Sequence, residues 1–202
     1  MKILIVALAF SAVLASAEYP EIHRLAADDE LFRQLQADLQ EYFQAVSRGM
    51  PALSGYRETD GEKTAGEGGI PPLRFFYCPI PKGMDLYALA ARLNLPYDTL
   101  ATLNGLNNPG SFSNLQRVIV PNLPGLFVPE KPESGFQEIL LSIRANTRSR
   151  GESVTVLDES GLRQMTFYLG QGFLAVERAF FLNILFHFPL PAGLLTSRYG
   201  AR

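Results

Sequence analysis

The stretch Phe75-Phe76-Tyr77-Cys78-Pro79-Ile80-Pro81-Lys82-Gly83-Met84-Asp85-Leu86-Tyr87-Ala88-Leu89-Ala90-Ala91-Arg92-Leu93-Asn94-Leu95-Pro96-Tyr97-Asp98-Thr99-Leu100-Ala101-Thr102-Leu103-Asn104-Gly105-Leu106-Asn107-Asn108-Pro109 decides the reading of this chain, and Arg117-Val118-Ile119-Val120-Pro121 closes it. An aromatic strand opens it. Leu86, Leu89, Ala90 and Leu93 then recur at i, i+3, i+4 and i+7, one apolar face of a helix. Asp85 just before them accepts from the free N–H groups of a first turn, and Asn94 suits a left-handed stop. Pro96 presets φ for a second helix, Asp98 places negative charge in its first turn, Leu100 and Leu103 face inward, and Asn104-Gly105 ends it. The segment predicts two short helices between two apolar strands. A unit this small buries only a limited core, so the residue pattern alone leaves two accounts open: a free-standing module, or a helical hairpin set in a larger domain.

The ordered residues resemble a LysM module, a small βααβ domain that binds N-acetylglucosamine-containing glycans such as peptidoglycan. Leu100 to Leu106 matches the family's Leu-x-x-x-Asn-Gly-Leu residue for residue, and Leu89-Ala90 fits its first-helix Ile-Ala. Met84-Asp85 stands where the family has Asp-Thr, and Leu115 where it has Gly. The resemblance implies a shallow glycan groove formed by Gly83, Met84, Asp85 and Leu86 on one side and Asn107, Asn108, Pro109 and Gly110 on the other. Backbone groups beside the glycines would hydrogen-bond the acetamido group, while Met84, Leu86 and Pro109 would offer apolar contact to its methyl and ring face.

The rest of the chain is punctuated around this segment. Met1-Lys2, the apolar run Ile3 to Phe10 and Ala15-Ser16-Ala17 have the layout of a secretory signal peptide, residues 1–17. The expectation is an exported protein of the periplasm or cell envelope with no stable membrane insertion after cleavage, the other account being an uncleaved anchor. Residues 18–48 form an N-terminal helical segment. Leu31, Phe32, Leu35, Leu39, Tyr42, Phe43 and Val46 lie along one side of it, a face for docking on its own chain, on a partner helix or on a second copy. Residues 49–72, rich in Gly, Pro, Glu and Lys, read as a flexible linker. The module takes 73–122. A second linker, 123–134, carries Pro124, Pro129 and Pro132. Residues 135–187 predict a small α+β domain: a helix over Gln137 to Ala145, then strands at Val154-Thr155-Val156 and Met165 to Leu169 around the turn Asp158 to Gly161. A dense apolar run from Phe180 reads as a further strand. The fold class is therefore α+β.

Residues 188–202 resemble the opening of lysostaphin-type zinc metalloendopeptidases, which cut peptide bridges in peptidoglycan. The matching residues are Phe188, Pro191 and Gly193-Leu194-Leu195-Thr196-Ser197-Arg198-Tyr199-Gly200-Ala201-Arg202. The family's zinc ligands come from later His-x-x-x-Asp and His-x-His motifs, which this sequence lacks. The resemblance implies a peptidase domain cut short, so that the chain as given is inactive, with the alternative that it is the N-terminal fragment of a zinc-dependent endopeptidase. No cofactor is expected in this chain; zinc is expected only with the missing domain. A hydrolytic zinc site needs three ligands and an open position, and His23, His187 and Cys78 are scattered. Cys78, in an apolar strand and followed by Pro79, lacks the His or helix N-terminus that activates a thiol. Ser160 and Ser197 have no Gly-x-Ser-x-Gly context. A net charge of −2 and a pI near 5.7 exclude a basic nucleic-acid surface. The expected partner is the peptidoglycan glycan strand. A structural adaptor whose LysM-like fold contacts protein is the reading from a different class.

Overall fold

The computed structural model describes residues 19–49, 70–146 and 150–183. Residues 1–17 and 188–202, most of the 49–72 linker, and His187 lie outside them. In chain order the elements are α1 (Glu30–Ser47), β1 (Phe75–Pro79), α2 (Leu86–Leu93), α3 (Tyr97–Leu103), a 3-10 turn (Pro109–Asn114), β2 (Arg117–Pro121), β3 (Gly125–Pro129), α4 (Gly135–Asn146), β4 (Glu152–Asp158), β5 (Gly161–Leu169) and α5 (Ala175–Phe181). The protein is α+β.

The decisive segment folds as strand, helix, helix, strand. β1 and β2 pair antiparallel from Phe75 opposite Pro121 to Pro79 opposite Arg117. Asp85 caps α2 by accepting from the Ala88 N–H at 2.7 Å, and Asn94 ends that helix at φ 59°. Leu86, Leu89, Ala90, Leu93 and Leu100 are buried in a core shared with Phe76, Cys78, Val118 and Val120. Pairing does not stop at β1. The Tyr77 N–H donates to the Pro20 carbonyl at 3.0 Å and the Ile22 N–H to the Tyr77 carbonyl at 2.8 Å, so residues 20–22 make one isolated parallel bridge beside β1.

Helix α1 docks on its own chain. Asp29 caps it, and Gln36 Nε2 donates to the Leu93 carbonyl at 2.9 Å while the Arg92 guanidinium donates to the Leu25 carbonyl at 2.8 Å. Phe32, Leu35, Leu39 and Tyr42 are buried as the periodicity requires, but Phe43 and Val46 are 42% and 40% exposed. Asp38 is buried instead, because Asn122 Nδ2 at 2.6 Å and Gln34 Nε2 at 2.7 Å satisfy its two carboxylate oxygens. A helical wheel sees only polarity, and this carboxylate is inside because one donor a turn earlier and others far along the chain, Asn122 and Arg74, meet it.

Three sequence expectations are corrected. Residues 123–134 are not a linker: Gly125–Pro129 is a fully buried strand, β3, paired antiparallel with β5 in a three-stranded sheet of order β3-β5-β4. Its prolines sit at or outside the strand ends, where a missing N–H costs little. The exposed edge that β3 would offer is covered by α3, since Thr99 Oγ1 accepts from the Gly125 N–H at 3.0 Å and Thr102 Oγ1 from the Phe127 N–H at 3.2 Å. Gly125 is required by close approach, because a Cβ there would stand 2.5 Å from both Phe167 Cε2 and the Tyr168 carbonyl. At the end of the first linker, Ile70 is a core residue packed with Tyr77, Ile119 and Phe127. Finally, Phe180 and Phe181 lie in a helix rather than a strand, where the Phe181 ring meets those of Tyr97, Phe136 and Phe173.

The 135–187 segment is consequently not a separate body. The β4-β5 hairpin turns at Asp158 and Gly161 as the sequence indicates, yet β5 pairs with β3, and Phe136, Phe173 and Phe181 share the core that holds Leu35, Leu89 and Leu100. Arg144 and Glu177, both buried, join α4 to α5 through an ion pair of 2.6 Å, and Arg144 also donates to Gln171 Oε1 at 2.9 Å.

Candidate functional site

The two loops named from sequence leave the same end of the β1-β2 pair. Pro79 lies opposite Arg117, and just beyond them the Ile80 N–H donates to the Gln116 carbonyl at 2.9 Å. The first loop tightens where the Met84 N–H donates to the Pro81 carbonyl at 3.0 Å, with Gly83 at φ +79°. Nothing lies within 4 Å of a Cβ built at Gly83, so glycine serves the left-handed backbone there and not a close contact. Gly83 and Asp85 are exposed and Met84 is half-buried. Leu86 is not available: its side chain is 1% exposed and belongs to the core. Apolar contact from this loop falls to Met84 alone, with Leu86 contributing at most its backbone.

The second loop follows the end of α3. Asn104 governs it: its Oδ1 accepts from the Ile119 N–H at 2.7 Å, and its Nδ2 donates to the Ile119 carbonyl and to the Leu100 carbonyl, each at 2.8 Å. The side-chain amide thus occupies the outer edge of β2 as a neighbouring strand would. Leu106 is buried, and Asn107 and Asn108 emerge exposed. Asn108 Oδ1 accepts from the Ser111 N–H at 3.1 Å and caps the turn that Pro109 begins. Asn107 Oδ1 accepts from Ser134 Oγ. Asn108 therefore holds backbone and Asn107 a side-chain hydroxyl, each through its Oδ1 and with its side chain exposed. Gly110 is exposed and Pro109 half-buried. Met84 and Leu115 pack on the cluster that contains Leu86 and Phe112, which links the bases of the two loops. Asp85 is the one charged residue among the eight.

Tyr87 was not singled out by sequence. It is 41% exposed, two residues beyond Asp85, with its ring 5.2 Å from that of Tyr97 in an edge-on contact. Its position off the i, i+3, i+4 face was the available signal. Burial, then Tyr97 and Asp85, pushes its phenol above the ordinary range, so it stays neutral.

A separate cleft of about 480 Å³ opens beside the second loop. It is lined by Asn114, Gln116 and Arg117 at the start of β2, by Asp158, Glu159 and Ser160 of the β4-β5 turn, and by Tyr77 and Arg163. The Arg117 guanidinium sits over the Tyr77 ring at 4.1 Å. None of the eight loop residues lines it.

Comparison with protein-family models, with curated proteins and with solved structures finds no match for this chain.

The remaining groups considered from sequence are placed as follows. Cys78 is buried in β1 and its thiol is pushed up to about 12 by burial first, then by Glu21 and Asp29. His23 is exposed, with Nδ1 3.3 Å from Glu21 Oε1. Ser160 donates to Asp158 Oδ1 within its own turn at 2.6 Å. Among the described residues, no group of three or more His, Cys, Asp or Glu is placed to hold a metal ion, and no helix is long and apolar enough to cross a membrane.

Proposed function

We propose that this chain is an exported cell-envelope protein that binds N-acetylglucosamine-containing peptidoglycan through the two loops flanking the open end of β1 and β2. The observation that carries the reading is the strand-helix-helix-strand unit of residues 75–121, whose two irregular loops leave one end of the paired strands and expose Gly83, Asn107, Asn108 and Gly110. Exposed backbone next to glycine and exposed side-chain amides suit a neutral acetamido sugar, and Met84 and Pro109 supply modest apolar contact. Tyr87 extends this surface with a ring face for a pyranose. One module with few contacts gives weak binding, without the gain that linked modules supply.

The test is co-sedimentation of the full chain with insoluble peptidoglycan. Asn108→Asp combined with Pro109→Ala keeps an acceptor for the Ser111 N–H but removes the amide donor and the ring. Retention should fall several-fold, while about 0.3 M salt should release little, because the contacts are uncharged and screening acts on charges. Undiminished pelleting of the folded double variant would place glycan binding elsewhere or nowhere.

A second reading, an N-terminal part of a zinc-dependent peptidoglycan endopeptidase, is supported by the stretch Phe188 to Arg202. It predicts His-x-x-x-Asp and His-x-His motifs in the coding sequence beyond Arg202. A reading frame that continues without them ends that account.

A further inference from the structure

The strand order β3-β5-β4 leaves β4 at an edge, and the two edges of this sheet are treated differently. The β3 edge is closed by the threonines of α3. On β4 the closure stops at Leu157, whose N–H donates to the Tyr19 hydroxyl at 2.9 Å and whose carbonyl accepts from the Tyr77 hydroxyl at 3.4 Å. Both groups of Leu157 therefore point away from β5. Backbone direction alternates along a strand, so the N–H and C=O of Thr155 and Ser153 point the same way, and among the described residues nothing pairs with them. Their side chains do not cover them either, since Thr155 Oγ1 donates to Gln164 Oε1 at 3.1 Å and Ser153 Oγ to Glu130 Oε1 at 3.4 Å, both back across their own sheet. The stretch Ser153-Val154-Thr155-Val156 carries no proline, no lysine and no bulge, the devices that blunt an edge.

We propose that this edge is the interface of a homodimer, β4 of one copy pairing antiparallel with β4 of a second copy and joining two three-stranded sheets into one. The closed residue selects the register. If Thr155 faced its own equivalent, Ser153 would fall against Leu157, whose groups are already taken. Setting Ser153 opposite Thr155 of the second copy uses open groups only, and each such pair exchanges two hydrogen bonds. The two-fold axis then passes between the Val154 residues, which meet at the closer, non-hydrogen-bonded spacing. Charge agrees with this register: it carries Arg150 toward Asp158 of the second copy and sets Glu152 opposite Val156. The same two residues supply every donor and acceptor the pairing needs, which is why a second copy fits this edge. The edge shares no residue with the glycan loops, so its test is independent of sugar binding.

Sedimentation equilibrium of the full chain should show a concentration-dependent exchange between monomer and dimer. Thr155→Pro removes an N–H that serves no bond inside the subunit, a substitution that an edge strand tolerates. Symmetry makes it delete a bond on each side of the axis, so the dissociation constant should rise by about tenfold or more. Ser153→Lys combined with Thr155→Lys places like charges across the pairing and should give the same loss without a proline, while Thr155→Val should leave the dimer intact. Thermal melting by circular dichroism establishes that each variant is folded. In hydrogen exchange the Ser153 and Thr155 amides should slow as the protein is concentrated, whereas the Leu157 amide, held by Tyr19, should be slow throughout. A monomer at millimolar concentration, a dimer that both edge variants leave unchanged, or Ser153 and Thr155 amides whose exchange ignores concentration would each overturn the assignment.

Discussion

Burial holds the Cys78 thiol near 12 against an ordinary 9.0, with Glu21 and Asp29 adding to the shift. The folded protein therefore keeps a proton that the unfolded chain releases. Below the unfolded value both states are protonated and the group is silent; as pH rises from about 9 toward 12, folding stability falls by up to about 1.4 kcal/mol per unit. Urea denaturation at pH 8 and 10.5 should show this loss for the native chain and a smaller one for Cys78→Ala. A disulfide-exchange reagent at pH 7.5 should label Cys78 only in urea, and rapid labelling of the folded chain would refute the burial argument. The sequence made this residue legible because its neighbours are apolar and Pro79 follows. The cap roles of Asp85 and Asn94 were equally local. What it did not disclose was the second use of Asn104, which reaches Ile119 across fifteen positions and depends on where a distant strand lies. Leu86 was legible as core from its period, and only the resemblance assigned it to a ligand loop.

At the scale of elements, helices α2 and α3 and the β4-β5 hairpin were legible because each carries its own period and punctuation. β3 was not. Prolines 124 and 129 make it look like a tether, and the groups that receive its edge, Thr99 and Thr102, lie on a helix that precedes it. α5 was missed for a related reason: its first turn is ordered by Glu177, whose Oε2 accepts from the Leu174 N–H at 2.6 Å and from Arg144, a partner on another helix. That ion pair is buried on both sides, so each charge depends on the other. Arg144→Met strands the Glu177 carboxylate and should cost about 3–5 kcal/mol, whereas Arg144→Met combined with Glu177→Leu should recover most of it. Chemical denaturation of the three variants measures this, and a single variant as stable as the double would mean that the carboxylate finds another partner.

For the whole molecule, the α+β class was legible from the change of period along the chain, but the division into independent modules was not the outcome. Phe32 and Leu35 of α1, Leu89 of α2, Phe136 of α4 and Phe181 of α5 are buried in one continuous cluster. A peptide covering residues 73–122 alone would expose most of the apolar face that these partners cover, and it should show no cooperative thermal transition by circular dichroism. The full chain should melt in one step by both far-ultraviolet and aromatic signals. A peptide that melts sharply by itself would restore the modular picture. No local pattern announces such sharing, because segments written far apart contribute alternate patches of a single interior. The bridge of residues 20–22 to Tyr77 and the ring of Phe181 in that same interior have a consequence for the order of events during synthesis. The ribosome delivers the 75–121 unit well before Phe181, so its helices emerge without the aromatic rings that seal them. Folding must wait for the last described helix, and during that interval the nascent chain offers chaperones an apolar surface that the finished protein hides.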